Sequence, residues 1–364
     1  IDTLRADHLG CYGYDLPVTP HLDRLARESL RFDHAAAQSS WTLWSVSSFM
    51  TSRYPDLLFP VDAHSGIDGV GPDLYYPTLA ESLQNAGYAT AAIVSNPWLA
   101  GNPSTTQGYA HYDHHPMVGE GSVPAPVALL GPDDQPLAVD AAHPPATAAR
   151  VTERALAYLR TLGDRRAFLF LLYMDPHSPY YQYPGRRYGD SPRDLQAALP
   201  AEVSRQPALL AQRRRDLRGY NSEISYVDAQ VGRLLEAVKA MGRYDNTLIV
   251  IMSDHGEEFL EHGGFEHQDT LYDEVVRVPL LIKLPGQREG RLVRGSFPLL
   301  DLYPTLLSTV RIDQSALGLQ GKAAALDTLA LDAPLRKKLG ENASAFVREN
   351  FSKEEFLKNF SKLL

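Results

Sequence analysis

The sequence of 364 residues is short of cysteine, of positive charge and of long apolar runs. Cys11 is the only cysteine, so no disulfide can form within the chain. The 35 Lys and Arg against 44 Asp and Glu give a formal net charge of −9, which argues against a nucleic-acid partner. No apolar run reaches the roughly 18 residues of a membrane span, and no signal peptide is visible. The sequence leaves the cellular compartment undetermined. It opens on Ile1 without a Met, apparently within a secondary-structure element, which is consistent with an upstream segment.

Apolar residues make up 44% of the chain, which is enough for a substantial core. They recur in segments that alternate between strand-like runs and helix-like periodicity. This alternation predicts an α/β fold with a largely parallel sheet and helices on both faces. The predicted strands are 89–95, 167–173, 247–252 and 278–284, and the predicted helices are 79–86, 147–162, 217–241 and 299–309.

Some segments depart from this alternation. Residues 101–143 are rich in Gly, Pro, His and Asp and are expected to be irregular, whereas 178–206 predicts a loop or lid. The basic run 213–218 is interpreted as a solvated helix face. We expect one catalytic domain over residues 1–325 and a tail of amphipathic helices over residues 326–364.

A metal site is predicted where the strand 247–252 ends. Asp254 and His255 follow that strand directly and place a carboxylate beside an imidazole at the carboxyl edge of the sheet, where open α/β sheets bind ligands. This pair of donors suits a divalent cation. The alternative is a capped turn in which Asp254 accepts bonds from backbone amides. Glu257 is expected to cap or shape the turn that follows.

Other polar clusters lie at the ends of predicted strands or on the loops after them. They are residues 2–3, 41–45 and 175–177, with His267 shortly after the Asp-His pair. A lone His177 is more often a loop-stabilising hydrogen bonder than a ligand. Several such clusters on one sheet edge are harder to explain by turn chemistry alone, and they strengthen the prediction of a functional site.

Several ordered motifs run along most of the chain: residues 2–13, 19–26, 220–228 followed by 253–257, 272–279 and 301–307. These motifs resemble those of the sulfatases, a family within the alkaline-phosphatase superfamily. The resemblance spans residues 1 to about 322 and implies an alkaline-phosphatase-like sandwich. It also implies action on a phosphate or sulfate ester of a small molecule, lipid or glycan.

The sulfatase signature C-x-P-S-R aligns with residues 42–46, and T-G-x-Y-P aligns with residues 51–55. Thr42 therefore occupies the nucleophile position, where sulfatases modify a Cys or Ser to formylglycine. Threonine cannot form that aldehyde, because its oxidation would give a ketone. Trp44 replaces the proline and Val46 replaces the arginine. The resemblance therefore favours superfamily members that use a plain threonine, such as phosphoglycerol and phosphoethanolamine transferases.

The resemblance also implies roles for individual residues. A threonine hydroxyl is a weak nucleophile that metal coordination can activate. His177 and His267 match positions that hold substrate oxyanions or protonate leaving groups. Thr3 stands where many sulfatases carry a second Asp, and Asn96 lies near the place of an active-site lysine. The implied ligands of one divalent cation, Ca, Mg, Mn or Zn, are Asp2, Thr42, Asp254 and His255.

Structural explanations compete with these roles. Thr42 would also suit the N-cap of a helix, but the family register favours the nucleophile. His262 and His267 would fit a flexible surface loop, and we favour function for His267 and a loop for His262. Trp41 and Trp44 are interpreted as packing or pocket walls, not as chemical groups.

Rival functions follow from the departures. A non-catalytic, sulfatase-like binding or scaffold protein is motivated by Trp44, by Val46 and by the apolar strand that the family carries before Asp2, where this sequence has only Ile1. Residues 326–364 weakly resemble the C-terminal helices of GT-B glycosyltransferases, which implies a glycan-pathway fusion as a third possibility.

Overall fold

The computed structural model describes residues 1–59, 76–99, 101–114 and 148–326, and it has an α/β fold. The strands are β1 (Leu30–Ala36), β2 (Ala89–Val94), β3 (His111–His114), β4 (Ala167–Leu172), β5 (Ile249–Met252), β6 (Glu258–Phe259), β7 (Phe265–Glu266), β8 (Arg277–Val278), β9 (Leu280–Lys283) and β10 (Arg291–Pro298). The helices are α1 (Pro20–Ala26), α2 (Thr42–Thr51), α3 (Pro55–Leu58), α4 (Leu79–Asn85), α5 (Pro103–Thr106), α6 (Ala148–Thr161), α7 (Pro192–Gln196), α8 (Ala201–Ser204), α9 (Pro207–Ala240), α10 (Asp273–Val276) and α11 (Leu302–Thr309).

Two larger sheets and one hairpin make up the strand layer. The three-stranded sheet has the order β3-β2-β4 and is parallel throughout. The five-stranded sheet has the order β10-β1-β9-β5, with β8 also paired to β1. In it β1 and β10 run parallel, whereas β9 is antiparallel to both β1 and β5. The predicted α/β class is confirmed, and the parallel arrangement is complete only in the smaller sheet.

The first two residues connect the sheets. The amide of Asp2 donates to the carbonyl of Tyr173, just after β4, at 2.8 Å. The amino group of Ile1 donates to the carbonyl of Met252, the last residue of β5, at 2.9 Å. The carboxyl ends of β4 and β5 therefore lie on either side of Ile1 and Asp2. This arrangement brings Asp2 and the loops after both strands to one edge.

Helices cover both faces of the three-stranded sheet. Successive residues of a strand point to opposite faces, and β2 follows this rule. Its Ile93 packs in the same buried cluster as Val151 of α6 and Ile224 of α9. Its Val94 packs instead in the cluster that contains Tyr303 of α11. The prediction of helices on both faces is thus confirmed for this sheet.

Most predicted elements appear within a few residues of their expected bounds. The helix predicted over 79–86 begins with a capping box, in which Thr78 Oγ1 accepts from the amide of Glu81 and the Glu81 side chain accepts from the amide of Thr78. Segment 278–284 is divided between β8 and β9, and segment 299–309 begins as a 3-10 turn before α11.

Several expectations need correction. The long helix predicted from residue 217 begins at Pro207, which suits the first position of a helix. The basic run is only partly a solvated face, since Arg213 is buried and donates to the carbonyls of Phe259 and Asp194 at 2.6 and 2.9 Å. The region 101–143, expected to be irregular, contains α5 and β3 in its described part. The region 178–206, expected to be a loop or lid, contains α7 and α8. Residue 147, residues 115–143 and the predicted tail helices lie outside the described residues.

Among the helices of the described ranges, none has both the length and the hydrophobicity that a bilayer crossing requires.

Candidate metal and nucleophile site

Thr42 is the first residue of α2, and it does not cap the helix. The N-cap is Trp41, whose backbone is extended, with φ −138° and ψ 134°. No side chain caps this helix by a hydrogen bond. The capping alternative for Thr42 is therefore wrong, because its buried hydroxyl faces other segments of the chain and no amide of its own helix.

Three side chains from distant parts of the sequence surround the Thr42 hydroxyl. Its Oγ1 lies 3.1 Å from Nε2 of His255 and 3.4 Å from Oδ1 of Asp2. Nδ2 of Asn96 donates to the same oxygen at 3.3 Å. The structure therefore brings the predicted nucleophile beside two of the predicted metal ligands.

Asp2, Asp254 and His255 form a compact buried cluster. Each offers one ligand atom, and these atoms all lie within 4.8 Å of one another. Nε2 of His255 is 3.6 Å from Oδ1 of Asp2 and 3.6 Å from Oδ2 of Asp254. Among the residues that the structure describes, this is the only cluster of His, Cys, Asp or Glu side chains that meets this distance.

The hydrogen bonding of this cluster fits a cation. Both carboxylate oxygens of Asp254 are buried without a hydrogen-bond partner, which costs free energy unless another group satisfies them. This finding opposes the capped-turn alternative, which requires amide donors to Asp254. Nδ1 of His255 lies 3.0 Å from the carbonyl of Gly256, so the tautomer that donates there leaves the Nε2 lone pair directed into the cluster.

The electrostatics of the two carboxylates, Asp2 and Asp254, also fit a bound cation. Burial and the charge of Asp2 both raise the pKa of Asp254. Burial also acts to raise the pKa of Asp2, but interactions with His177 and His255 outweigh it and hold the pKa below its ordinary value. Two buried carboxylates at this separation repel each other when ionised, and a divalent cation between them would remove that repulsion.

Asn96 and Thr3 have different relations to the cluster. Asn96 follows β2, and its Nδ2 donates to Oδ2 of Asp2 at 2.8 Å, so it orients that carboxylate as well as contacting Thr42. Thr3 has a left-handed backbone with φ 52°, which is strained for a β-branched residue. Its hydroxyl donates to the carbonyl of Pro176 at 3.2 Å, so it binds the loop that carries His177.

His177 and His267 both lie beside the cluster. The ring centroids of His267 and His255 are 4.4 Å apart, and those of His267 and His177 are 5.0 Å apart. Nδ1 of His177 lies 2.6 Å from the carbonyl of Ser178, so this ring also contributes to the geometry of its loop. The structure thus brings together the two histidines that the resemblance to the family predicts to contact the substrate.

Glu257 is a site residue whose role the sequence did not reveal. Its Oε1 lies 2.9 Å from Nδ1 of His267. Burial acts to lower the pKa of His267, but the hydrogen bond and charge of Glu257, together with the charges of Asp2 and Asp254, outweigh burial and raise that pKa. The β6–β7 hairpin creates the contact, because Glu258 pairs with Glu266 and the residues flanking that pair then face each other. In the sequence, the hairpin is indicated only by the recurrence of Glu and Phe in its two strands, Glu258–Phe259 and Phe265–Glu266.

His262 lies in the turn of that hairpin, away from the cluster. Its ring stacks on Tyr272 with centroids 3.5 Å apart, and its Nε2 is 3.3 Å from Oε2 of Glu274. It therefore occupies a loop, as expected.

The arrangement matches a known family over most of the chain. The sulfatase family model matches residues 1–312. The chain belongs to the sulfatase family.

Individual sulfatase-family relatives agree with this membership. The chain is 26% identical to iduronate 2-sulfatase of Homo sapiens over an alignment of 385 positions, gaps included, which covers 91% of the chain and 67% of the relative. It is 30% identical to steryl-sulfatase of Mus musculus, with 84% of the chain and 60% of the relative covered. The chain thus spans roughly two thirds or less of the length of these curated relatives.

A solved structure shows the same sulfatase fold. The phosphonate monoester hydrolase of Agrobacterium radiobacter superposes with a TM-score of 0.65 at 19% identity, covering 88% of this chain and 74% of that one. At this identity the likeness establishes the fold.

Proposed function

We propose that this chain is a metal-dependent hydrolase or transferase that acts on phosphate or sulfate esters, with Thr42 as its nucleophile. The observation that carries the proposal is the position of Thr42 Oγ1, within 3.4 Å of Asp2 and 3.1 Å of His255 in a buried cluster. A hydroxyl that served only packing would not need a buried carboxylate and an imidazole beside it.

The cation would be held by Asp2, Asp254, His255 and Thr42, and Ca, Mg, Mn and Zn all remain candidates. When bound, it would lower the pKa of the threonine hydroxyl and neutralise charge on the ester oxygens. The orphaned oxygens of Asp254 are the observation that supports this ligand set.

The side chains of the site have complementary tasks in the proposed reaction. Oγ1 of Thr42 forms a bond to phosphorus or sulfur while the bond to the ester oxygen breaks. The hydroxyl proton leaves to solvent water as this bond forms, and the anionic Asp2, to which Thr42 donates at 3.4 Å, orients the hydroxyl. His267, or His177 beside it, protonates the departing oxygen, and Glu257 keeps His267 protonated to higher pH.

The second half of the reaction favours phosphate. An esterified threonine has no geminal hydroxyl with which to expel the group, so water or an acceptor alcohol must attack phosphorus or sulfur directly. Water would complete hydrolysis and an alcohol would complete a transfer, and either attack returns the proton and the free Thr42 hydroxyl. Because the aldehyde-hydrate route is closed to threonine, we expect phosphate esters to react faster than matched sulfate esters.

The test is a panel of matched esters that share one leaving group and differ only in the transferred group. Phosphate monoesters, phosphate diesters and sulfate esters are each supplied with Mg, Ca, Mn and Zn in turn. Faster turnover of a phosphate supports the proposal, and faster cleavage of the sulfate overturns the preference. Stoichiometric cation binding without turnover of any ester would favour the binding or scaffold alternative that Trp44 and Val46 motivate.

A further inference from the structure

All 3 tryptophans of the chain lie in one aromatic cluster beside the candidate nucleophile. The ring centroids of Trp41 and Trp44 are 5.5 Å apart with an interplanar angle of 52°. Those of Trp41 and Trp98 are 5.6 Å apart with an angle of 72°. We refer to Trp41, Trp44 and Trp98 as the indole cluster.

The indole cluster is connected to the Thr42 hydroxyl in two ways. Trp41 directly precedes Thr42, and Trp44 lies in the first turn of the same helix. From the other side, the amide of Trp98 donates to Oδ1 of Asn96 at 2.9 Å, and Nδ2 of Asn96 donates to Thr42 Oγ1 at 3.3 Å. The residues that carry these rings therefore adjoin the candidate nucleophile, along the chain through Trp41 and across space through Asn96.

Core packing does not account for the cluster. Trp98 is 57% exposed, and Trp41 and Trp44 are only partly buried. Trp44 stacks on Phe59 with centroids 5.8 Å apart and an angle of 21°, which supports one of its faces. Large apolar side chains that stay accessible beside a buried polar cluster are typical of ligand contact.

The charges around the hydroxyl suggest which ligand this surface suits. Within the described part of the chain, no Lys or Arg takes part in the hydrogen bonds and ion pairs of Asp2, Thr42 and Asn96. Arginine and lysine are the usual partners of anionic groups on a substrate. Indole faces instead favour a flat group with an apolar face.

We propose that the indole cluster is the binding surface for the leaving group, and that this group is an uncharged ring stacked by its apolar face. The inference rests on the proposed function, because it assigns the substrate class of that same site. Aromatic rings and pyranose sugars share the required face. A short alkyl group lacks it, so alkyl esters should be bound more weakly.

The binding test uses the tryptophans themselves. Because all 3 belong to the cluster, selectively excited tryptophan emission reports only from this place. Phenylphosphonate should change that emission at a concentration at least roughly fivefold lower than methylphosphonate, given the strength of aromatic stacking. Equal responses to the two phosphonates, or no response to either with any of the four cations, would overturn the inference without requiring turnover.

The kinetic test compares phenyl, pyranosyl and ethyl phosphates on wild type and variants. Trp98→Ala should raise KM for the ring esters by about threefold to tenfold and leave the ethyl ester unchanged, whereas Trp98→Phe should restore most of the loss. Leu195→Ala removes an exposed apolar side chain of α7 and should change neither. A larger effect on phenyl or on pyranosyl phosphate identifies the ring.

The two proposals fail separately in these experiments. If ring and ethyl esters turn over with equal KM, and Trp98→Ala affects neither, the indole surface is refuted while the ester chemistry stands. If no ester turns over but phenylphosphonate still changes the tryptophan emission at a lower concentration than methylphosphonate, the surface is supported and the catalytic proposal fails. Circular dichroism of Trp98→Ala confirms that the variant is folded.

Discussion

Oε1 of Glu257 lies 2.9 Å from Nδ1 of His267, and the ring of His267 in turn lies 4.4 Å from the ring of His255. This carboxylate therefore orients a histidine beside the candidate metal cluster and favours its protonated form. Burial acts to lower the pKa of His267, but Glu257 first, and then the charges of Asp2 and Asp254, raise it above its ordinary value.

Glu257→Gln should move the pH profile of turnover. Removing the carboxylate charge lowers the pKa of His267, so the protonated ring is lost at lower pH and the alkaline limb of kcat shifts to lower pH. Glu274→Gln is the matched control, since it removes the carboxylate beside His262, outside the cluster. An unchanged alkaline limb in Glu257→Gln would show that His267 is not the acid.

Asp254→Ala should abolish stoichiometric binding of the divalent cation, measured by elemental analysis and by calorimetry. The same variant should unfold no more easily than the metal-free wild type, because it removes two orphaned buried oxygens that cost about 1–3 kcal/mol. The cation should raise the melting temperature of wild type and leave that of Asp254→Ala unchanged. Undiminished metal binding by the variant contradicts the ligand assignment.

Thr42→Ala should lower turnover at least roughly a hundredfold, whereas Thr42→Ser should retain a larger share of it. Ser45, in the same helical turn as Thr42, is the alternative hydroxyl, but its Oγ donates to the carbonyl of Asp254 at 2.6 Å. Ser45→Ala should therefore have the smaller effect on the chemical step. An active Thr42→Ala together with an inactive Ser45→Ala would transfer the nucleophile to Ser45.

His177→Ala and His267→Ala should each lower turnover while metal affinity stays nearly intact, because neither ring supplies a ligand in the proposed cation site. That pattern differs from Asp254→Ala, in which both quantities fall together. His262→Ala is the control, since its ring stacks on Tyr272 in the hairpin turn. Full activity in His177→Ala would limit that residue to holding the loop through Ser178.

Asp175→Asn should flatten the pH dependence of stability. Burial raises the pKa of Asp175 from 3.8 to about 7, although Tyr183 donates to its Oδ1 at 2.7 Å. The folded state thus binds more protons than the unfolded state between these values, so the free energy of unfolding falls as pH rises from about 4 to about 7. Above pH 7 the variant should be more stable by up to about 4 kcal/mol. Denaturant titrations across this range measure the slope, and an unchanged slope refutes the assignment.

The sequence was most informative where polar residues follow apolar strands. Asp254 and His255 were predicted from such a boundary, and family register added Asp2 and Thr42, all of which the structure brings together. They lie close together because the carboxyl end of a strand fixes where the next residues lie.

Other features depend on contacts that no local pattern encodes. The Glu257–His267 pair requires the β6–β7 hairpin, and the burial of Arg213 depends on acceptors at Phe259 and Asp194. Strand β1 interleaves charged residues with apolar ones, and its partner β10 lies far along the chain. Distant pairing of this kind overrides weak local preference.

The backbone of Asp2 is fixed to Tyr173 after β4, its neighbour Ile1 is fixed to Met252 at the end of β5, and the Asp2 side chain faces Thr42. A displacement of one sheet relative to the other would therefore move a carboxylate at the reactive centre. A local opening between β4 and β5 would separate Asp2 from Asp254 before the helices unfold, so loss of the catalytic geometry can precede loss of the fold on heating.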